Sequence, residues 1–255
     1  AGGSAQAEKG FVVTGFKTID AHNHLGVRHG AIQTAAELVA KLDEAGVDQA
    51  VVFPFVEGDF DNEIIADAVR DHPGRLIPFC AVNPWHLDRA VAEVAARAQA
   101  GFRGVKLHPT LHGYHLSDEA LVGPVLEAVR EAGMVVICHG ASDLYNAPPE
   151  FALVAGRFPE TAFLMAHSGT FWSHEQAVEL ARQTPNLYLE TSRVPVHEIS
   201  YSVAELGPEK VIWGTDSPFV DYAFEFHKME RVAVDADSVA LVRGGNLARL
   251  LNLSS

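Results

Sequence analysis

Ile19-Asp20-Ala21-His22-Asn23-His24 reads as the end of a β-strand. Side chains alternate along a strand, so His22 and His24 fall on one side of it. Two imidazoles fixed on one face of a rigid strand make half of a metal site, although an isolated His-x-His is as often a pair of surface or core histidines. The choice between these readings is made further along the chain. Later apolar runs end in His139, His167 and Asp216, and another carries Lys106 and His108.

The strand-like runs are 18–24, 50–55, 76–82, 104–109, 135–139, 163–167, 187–192 and 211–216. Helical stretches separate them. Thr34 and Glu37 are spaced as a capping box ahead of Leu38 and Leu42, with Gly46 as the stop. Ser173 and Gln176 repeat that spacing, Ser117 stands where it would cap a helix reaching Gly133, and Pro124 predicts a kink inside that helix. Pro148-Pro149 opens another helix, and helical segments near 221–231, 237–242 and 246–251 follow the last run. Eight strands alternating with helices predict an α/β single-domain (β/α)8 TIM barrel with C-terminal helical segments over residues 17–255. An open doubly wound sheet is disfavoured, because no Gly-x-Gly-x-x-Gly loop follows the first strand. Residues 1–16 open small and polar, lack an initiator Met and read as a disordered tail or a leftover of expression.

Composition narrows the partners. The 255 residues carry a net charge of −14 and no basic run, so neither nucleic acid nor an anionic membrane is expected. Cys80 and Cys138 form no spaced framework, which points to a reducing, cytoplasmic setting. No apolar run approaches the ~18 residues of a membrane span, and no signal-peptide pattern is present.

Enzymes on this barrel place their chemistry at the C-terminal ends of the strands. His22 and His24 end the first predicted strand, His139 the fifth, His167 the sixth and Asp216 the eighth. The first and eighth strands are neighbours in a closed barrel, so these five side chains converge on one mouth. Ile137, Met165 and Gly214 are the inward positions expected beneath His139, His167 and Asp216. One histidine at a strand end is more often structural, but five such residues at matching ends are hard to explain that way. No Gly-x-Ser-x-Gly elbow and no Walker-type loop competes with the metal reading.

At this point the chain resembles a known family. The segments Asp20-Ala21-His22-Asn23-His24, Gly104-Val105-Lys106-Leu107-His108-Pro109, Cys138-His139-Gly140, Ala166-His167-Ser168-Gly169, Trp213-Gly214-Thr215-Asp216-Ser217-Pro218 and Gly245-Asn246-Leu247-Ala248-Arg249-Leu250-Leu251 look like the amidohydrolase superfamily. More narrowly they resemble its amidohydrolase-related group, which includes aminocarboxymuconate-semialdehyde decarboxylase and the resorcylate decarboxylases. The resemblance runs from about Lys17 to Leu253. It implies a metal-dependent hydrolase or a non-oxidative decarboxylase.

The resemblance also implies roles. His22, His24, His139 and Asp216 would bind Zn²⁺, with Mn²⁺, Fe²⁺ or Co²⁺ as other ions that suit mixed nitrogen and oxygen donors. Lys106 separates two versions of the site. Carboxylated, it would bridge two metals, one on His22, His24 and Asp216 and the other on His139 and His167. As a plain amine it would leave one metal on His22, His24, His139 and Asp216, with His167 free for acid–base work. A buried cation paired with a carboxylate is the plainer reading of Lys106.

The first functional expectation is hydrolysis of an amide, a lactone or a similar carbonyl–heteroatom bond, with metal-activated water and Asp216 as general base. The alternative is non-oxidative decarboxylation of a small unsaturated or aromatic acid, with His167 and Asp216 in proton transfer. His108, Arg28, Arg193, Trp172 and Tyr145 are the candidate substrate contacts. Trp85, His86, His112, Tyr114, His115, Phe171 and Phe219 share the mouth loops. Each of these is more often ordinary loop packing or a surface ion pair than a ligand contact. Glu190 and Ser192 are expected to support a ligand from behind, and Cys138 should face the helices. Short loops predict an open pocket, or one completed by a second copy in a homo-oligomer.

Overall fold

The computed structural model describes residues 16–28, 30–58 and 60–253. The tail expected at 1–16 therefore lies outside the described residues except for Phe16. In chain order the elements are β1 (Ile19–Arg28), β2 (Ala31–Gln33), α1 (Ala35–Ala45), β3 (Gln49–Pro54), α2 (Glu63–Asp71), β4 (Leu76–Ala81), α3 (Asp88–Gln99), β5 (Gly104–Leu107), α4 (Pro109–His112), α5 (Glu119–Glu131) and β6 (Val135–His139). They continue as α6 (Pro148–Arg157), β7 (Phe163–Ala166), α7 (His174–Gln183), β8 (Leu187–Glu190), α8 (Val196–Leu206), β9 (Val211–Ile212), α9 (Tyr222–Lys228), α10 (Ala236–Ala240) and α11 (Asn246–Leu250).

The strands run in the order β2-β1-β3-β4-β5-β6-β7-β8-β9. Each pair is parallel except the β1–β2 hairpin, which the sequence did not announce. The residues around β9 return to β1 and close the barrel. Ala21 N donates to Trp213 O at 3.1 Å, Asp216 N to His22 O at 2.9 Å and His24 N to Ser217 O at 2.8 Å. The α/β TIM barrel with C-terminal helical segments is thus the observed fold.

Alternation sorts the strands into two packed layers. Ile19, Ala21, Val51, Phe53, Ile77, Phe79, Val135, Ile137, Leu164, Ala166, Tyr188 and Ile212 fill the barrel, and Leu247 and Leu251 join them from the C-terminal helical segment. The other face of the strands packs against the helices and includes Cys80, Cys138 and Met165. β5 departs from the apolar filling. A Cβ on Gly104 would lie 2.2 Å from the Phe79 ring, so glycine makes room, and Lys106 takes the next inward level at 1 % exposure.

Local signals held unevenly. Thr34 and Glu37 form the complete capping box of α1, and Gly46 ends that helix in the left-handed region. Ser117 does not cap α5. Asp118 does, its carboxylate accepting from Leu121 N at 3.1 Å, while Ser117 N donates to Glu150. Ser173 precedes α7 but makes no side-chain cap bond, because its ψ of 12° departs from the extended backbone that aims a capping side chain at the first turn.

Two departures from strand alternation matter for the site. Between Asp20 and Asn23 the register of β1 against β3 shifts, so Ala21 and His22 together face Val51. The bulge lets Ile19 and Ala21 fill the barrel while His22 and His24 still point to its mouth. In β7 the inward residues are Leu164 and Ala166, so Met165 is not beneath His167. His167 reaches the mouth because the chain leaves the strand in a left-handed turn, with φ of +66° at His167, +48° at Ser168 and +75° at Gly169.

Candidate active site

A cavity of about 320 Å³ opens at the C-terminal ends of the strands. His22, His24, Lys106, His108, His139, His167, Arg193 and Asp216 supply its polar lining, and Phe55, Val56, Leu111, Phe171 and Phe219 its apolar walls. One donor atom from each of His22, His167 and Asp216 lies within 4.8 Å of the others, and all three residues are buried. His24 joins them, its Nε2 3.2 Å from Asp216 Oδ1, as is His22 Nε2.

The hydrogen bonds behind the histidines decide which ring nitrogen faces the cavity. His22 Nδ1 donates to Glu190 Oε2 at 3.0 Å, which leaves Nε2 with a lone pair toward Asp216. His167 Nδ1 faces the Ser192 carbonyl at 3.2 Å, an acceptor only, so its Nε2 is likewise the bare nitrogen. Glu190 is fixed in turn by Ser192, whose N–H donates to Oε1 at 2.7 Å and whose Oγ donates to Oε2 at 2.8 Å. The expected support of a ligand by Glu190 and Ser192 is therefore present, at His22.

Burial keeps the imidazoles neutral. It pushes His22 well down from the ordinary value, lowers His24 as well, and brings His167 down to about 3. Asp216 is held well below the usual carboxylate range. Burial alone would raise it, but His22 and the hydrogen bond from His24 outweigh burial, and Arg193 Nε donates to its other oxygen. Three uncharged nitrogen donors around one ionised carboxylate are the donor chemistry a divalent cation of the zinc or manganese kind takes. The residues present fit such an ion.

Other expected site residues divide. Lys106 Nζ lies 3.1 Å from His22 Nε2 and 4.8 Å over the Phe53 ring, and burial lowers it to about 8. His139 lines the cavity but its Nε2 bonds Asp143 Oδ2 at 2.8 Å, and its ring stacks on His108 at 4.1 Å. It is not one of the three clustered residues, although its ring lies edge-on to that of His167 at 4.9 Å. Arg28 lines the cavity, paired with Glu57 and lying over the Phe219 ring at 4.7 Å. Two candidate contacts need correction. Trp172 is 90 % exposed and outside the cavity wall, whereas its neighbour Phe171, itself 66 % exposed, borders the cavity rim. Tyr145 also lies off the wall, its ring edge-on to His115 at 5.0 Å.

Sequence reasoning missed Asp143, Phe55 and Glu57. Asp143 follows His139 at a spacing of four, a signal that was open to reading. It also missed Asp20, which is buried and accepts from Thr215 N at 3.0 Å and Thr215 Oγ1 at 2.7 Å, tying β1 to the Asp216 loop. Burial raises Asp20 to about 7.

Residues 19–253 match the sequence model described as amidohydrolase. The chain belongs to the amidohydrolase family. A comparison with curated protein sequences finds no match for this family member. Among solved structures, this amidohydrolase resembles 5-carboxyvanillate decarboxylase from Novosphingobium aromaticivorans, complexed with manganese and 4-hydroxy-3-methoxy-5-nitrobenzoic acid. The TM-score is 0.73 at 16 % identity, over 94 % of this chain and 97 % of that one. It also resembles 2,6-dihydroxybenzoate decarboxylase from Rhizobium, with TM-score 0.75, 13 % identity and coverage of 93 % and 99 %. A probable 2-pyrone-4,6-dicarboxylic acid hydrolase from Acinetobacter baumannii, with citric acid bound, gives 0.74, 16 %, 93 % and 100 %. At these identities the likeness is one of fold. Among the described residues no helix is long and apolar enough to cross a membrane.

Proposed function

We propose that this amidohydrolase-family chain is a metal-dependent, non-oxidative decarboxylase of a small aromatic or unsaturated carboxylic acid. The observation that carries the reading is how the predicted ligands divide. His22, His167 and Asp216 share one point with His24 beside them, whereas His139 is engaged by Asp143. That supports a single ion under an aromatic-walled cavity of a size suited to one substituted ring. The manganese and the nitrobenzoic acid held by one structural neighbour, and the names of two neighbours, favour the same reaction.

Bound there, a Mn²⁺ or Zn²⁺ ion would supply Lewis-acid polarisation of a substrate oxygen. The protein does the remainder. Phe55 and Phe219, packed edge-on at 5.5 Å, would give a flat ring one apolar wall, and the Arg193 guanidinium, braced on Asp216, lies where it would hold an acidic group. Asp216 would take up a proton from solvent at a carboxylate oxygen and deliver it to the ring carbon that bears the carboxylate. The C–C bond then breaks, its electron pair restores the ring's π-system, and CO₂ departs. One proton is consumed overall. His167 would help hold the ion through Nε2, its ring fixed by Ser192.

Hydrolysis of a lactone is the second reading. Buried Lys106 beside His22 favours it, because a carboxylated lysine there would bridge two ions. The two reactions differ in what they release. Protein loaded with Mn²⁺ or Zn²⁺ is incubated with hydroxybenzoates, unsaturated acids and lactones while CO₂ and proton balance are followed. CO₂ release with proton uptake, lost by at least 100-fold in Asp216→Asn, is the expected result. Acid release from lactones without CO₂ would overturn it.

A further inference from the structure

We infer that His174 is a positioning residue for the metal centre, its Nδ1–H holding the left-handed turn that aims His167. The inference rests on the metal-centre part of the proposed function and not on the choice of reaction. His167, Ser168 and Gly169 are three consecutive residues at positive φ, and two of them carry a Cβ. Such backbone persists only where its surroundings over-determine it.

The surroundings can be read bond by bond. Gly169 N donates to Gly140 O at 2.7 Å, Thr170 N to His167 O at 2.9 Å, and Ser168 Oγ to Glu190 O at 2.8 Å. The Ser168 carbonyl, at the middle of the turn, accepts from His174 Nδ1 at 2.8 Å. A carbonyl only accepts, so Nδ1 is the donor in this bond, while the far nitrogen has the Ser202 hydroxyl as well as a carbonyl beside it. His174 is 4 % exposed and opens α7, and its far nitrogen lies 2.9 Å from Ser202 Oγ and 3.0 Å from Glu198 O in α8. The ring is a strut between α8 and the turn. Gly169 completes the fit, since a Cβ there would come within 3.2 Å of His174 N.

The test uses Co²⁺ as the probe, followed by its visible absorption during titration of the full chain. His174→Phe keeps the ring but removes the donor, and His174→Gln keeps an N–H. H174F should bind Co²⁺ about 10–100-fold more weakly than wild type, the usual consequence of losing a group that orients a ligand, and H174Q should regain part of the loss. A merely structural histidine would lower the melting temperature of H174F and leave the Co²⁺ affinity within twofold of wild type, which would overturn the inference. If H174F does not fold, His174→Ala, which adds no bulk, is judged by the same twofold limit. Wild-type protein that takes up no Co²⁺ would overturn the metal centre and this inference together, whereas binding retained in the variant overturns the inference alone.

Discussion

Gly214 shows how little room the site leaves at a single residue. A Cβ there would meet Glu190 Oε1 at 2.3 Å and both Glu190 Cδ and His22 Cβ at 3.0 Å. Glu190 cannot easily yield, because Ser192 holds both of its oxygens. Gly214→Ala should therefore break the Glu190–His22 bond and weaken Mn²⁺ binding about 10–100-fold, with circular dichroism unchanged. Isothermal titration of wild type and variant checks it, and equal affinities would refute it. At this scale the sequence exposed His22, His24, His167 and Asp216, because strand-end histidines and a late aspartate are recognisable by type and position. It did not expose which of Phe171 and Trp172 borders the cavity, because both are exposed loop aromatics and a residue pattern does not say which of two neighbours lies at the rim.

Elements carry the next constraint. α9 presents Glu225 and Lys228, which pair although they are 1 % and 6 % exposed. Glu225 accepts from Arg193 N at 3.2 Å and Lys228 donates to Thr191 O at 3.0 Å, so this helix clamps the segment that delivers Arg193 to Asp216. Lys228→Met would leave a buried carboxylate alone, at about 3–5 kcal/mol of stability. The pH dependence has a defined sign. Burial, opposed by Lys228, raises Glu225 from 4.5 to about 7, so the folded state holds this proton more tightly than the unfolded state. Its contribution to stability falls as pH rises from about 4.5 through 7. Removing Lys228 removes the opposing charge, so urea denaturation should show a larger deficit for K228M at pH 9 than at pH 6. An equal deficit at both would show that the pair is not what holds this helix. The strands and helices themselves were legible from apolar runs, glycine stops and the Thr34 box. The bulge in β1 was not, because it adds a residue to a strand without altering its apolar character.

For the whole molecule, the centre joins distant parts of the chain. His22 comes from β1, His167 from the turn after β7 and Asp216 from the segment after β9. An ion bound only by the folded barrel stabilises it by about 2.7 kcal/mol at one hundred times its Kd. For a chain of this size that is about 5–11 °C in Tm. Melting with excess Mn²⁺ against melting with EDTA should show that difference in wild type and little of it in Asp216→Asn. An equal shift in both would mean that the ion binds elsewhere. The barrel was readable at this scale because eight apolar runs alternate with helices. The reaction was not, since hydrolysis and decarboxylation draw on the same residue types and differ in how those residues divide in space, which a linear pattern does not encode.

The hydrogen bonds that close the barrel also set a schedule for its birth. His24 and Asp216 are 192 positions apart, so a ribosome adding about 5–20 residues per second exposes the first strand roughly 10–40 seconds before its closing partner exists. In that interval β2 can cover only Gly26–Arg28, and the backbone from Ala21 to His24 has an open edge. An open edge is a template for pairing with other chains. The nascent protein therefore stays exposed to aggregation until Asp216 is made, and the same hydrogen bonds that end this hazard bring Asp216 to His22 and His24.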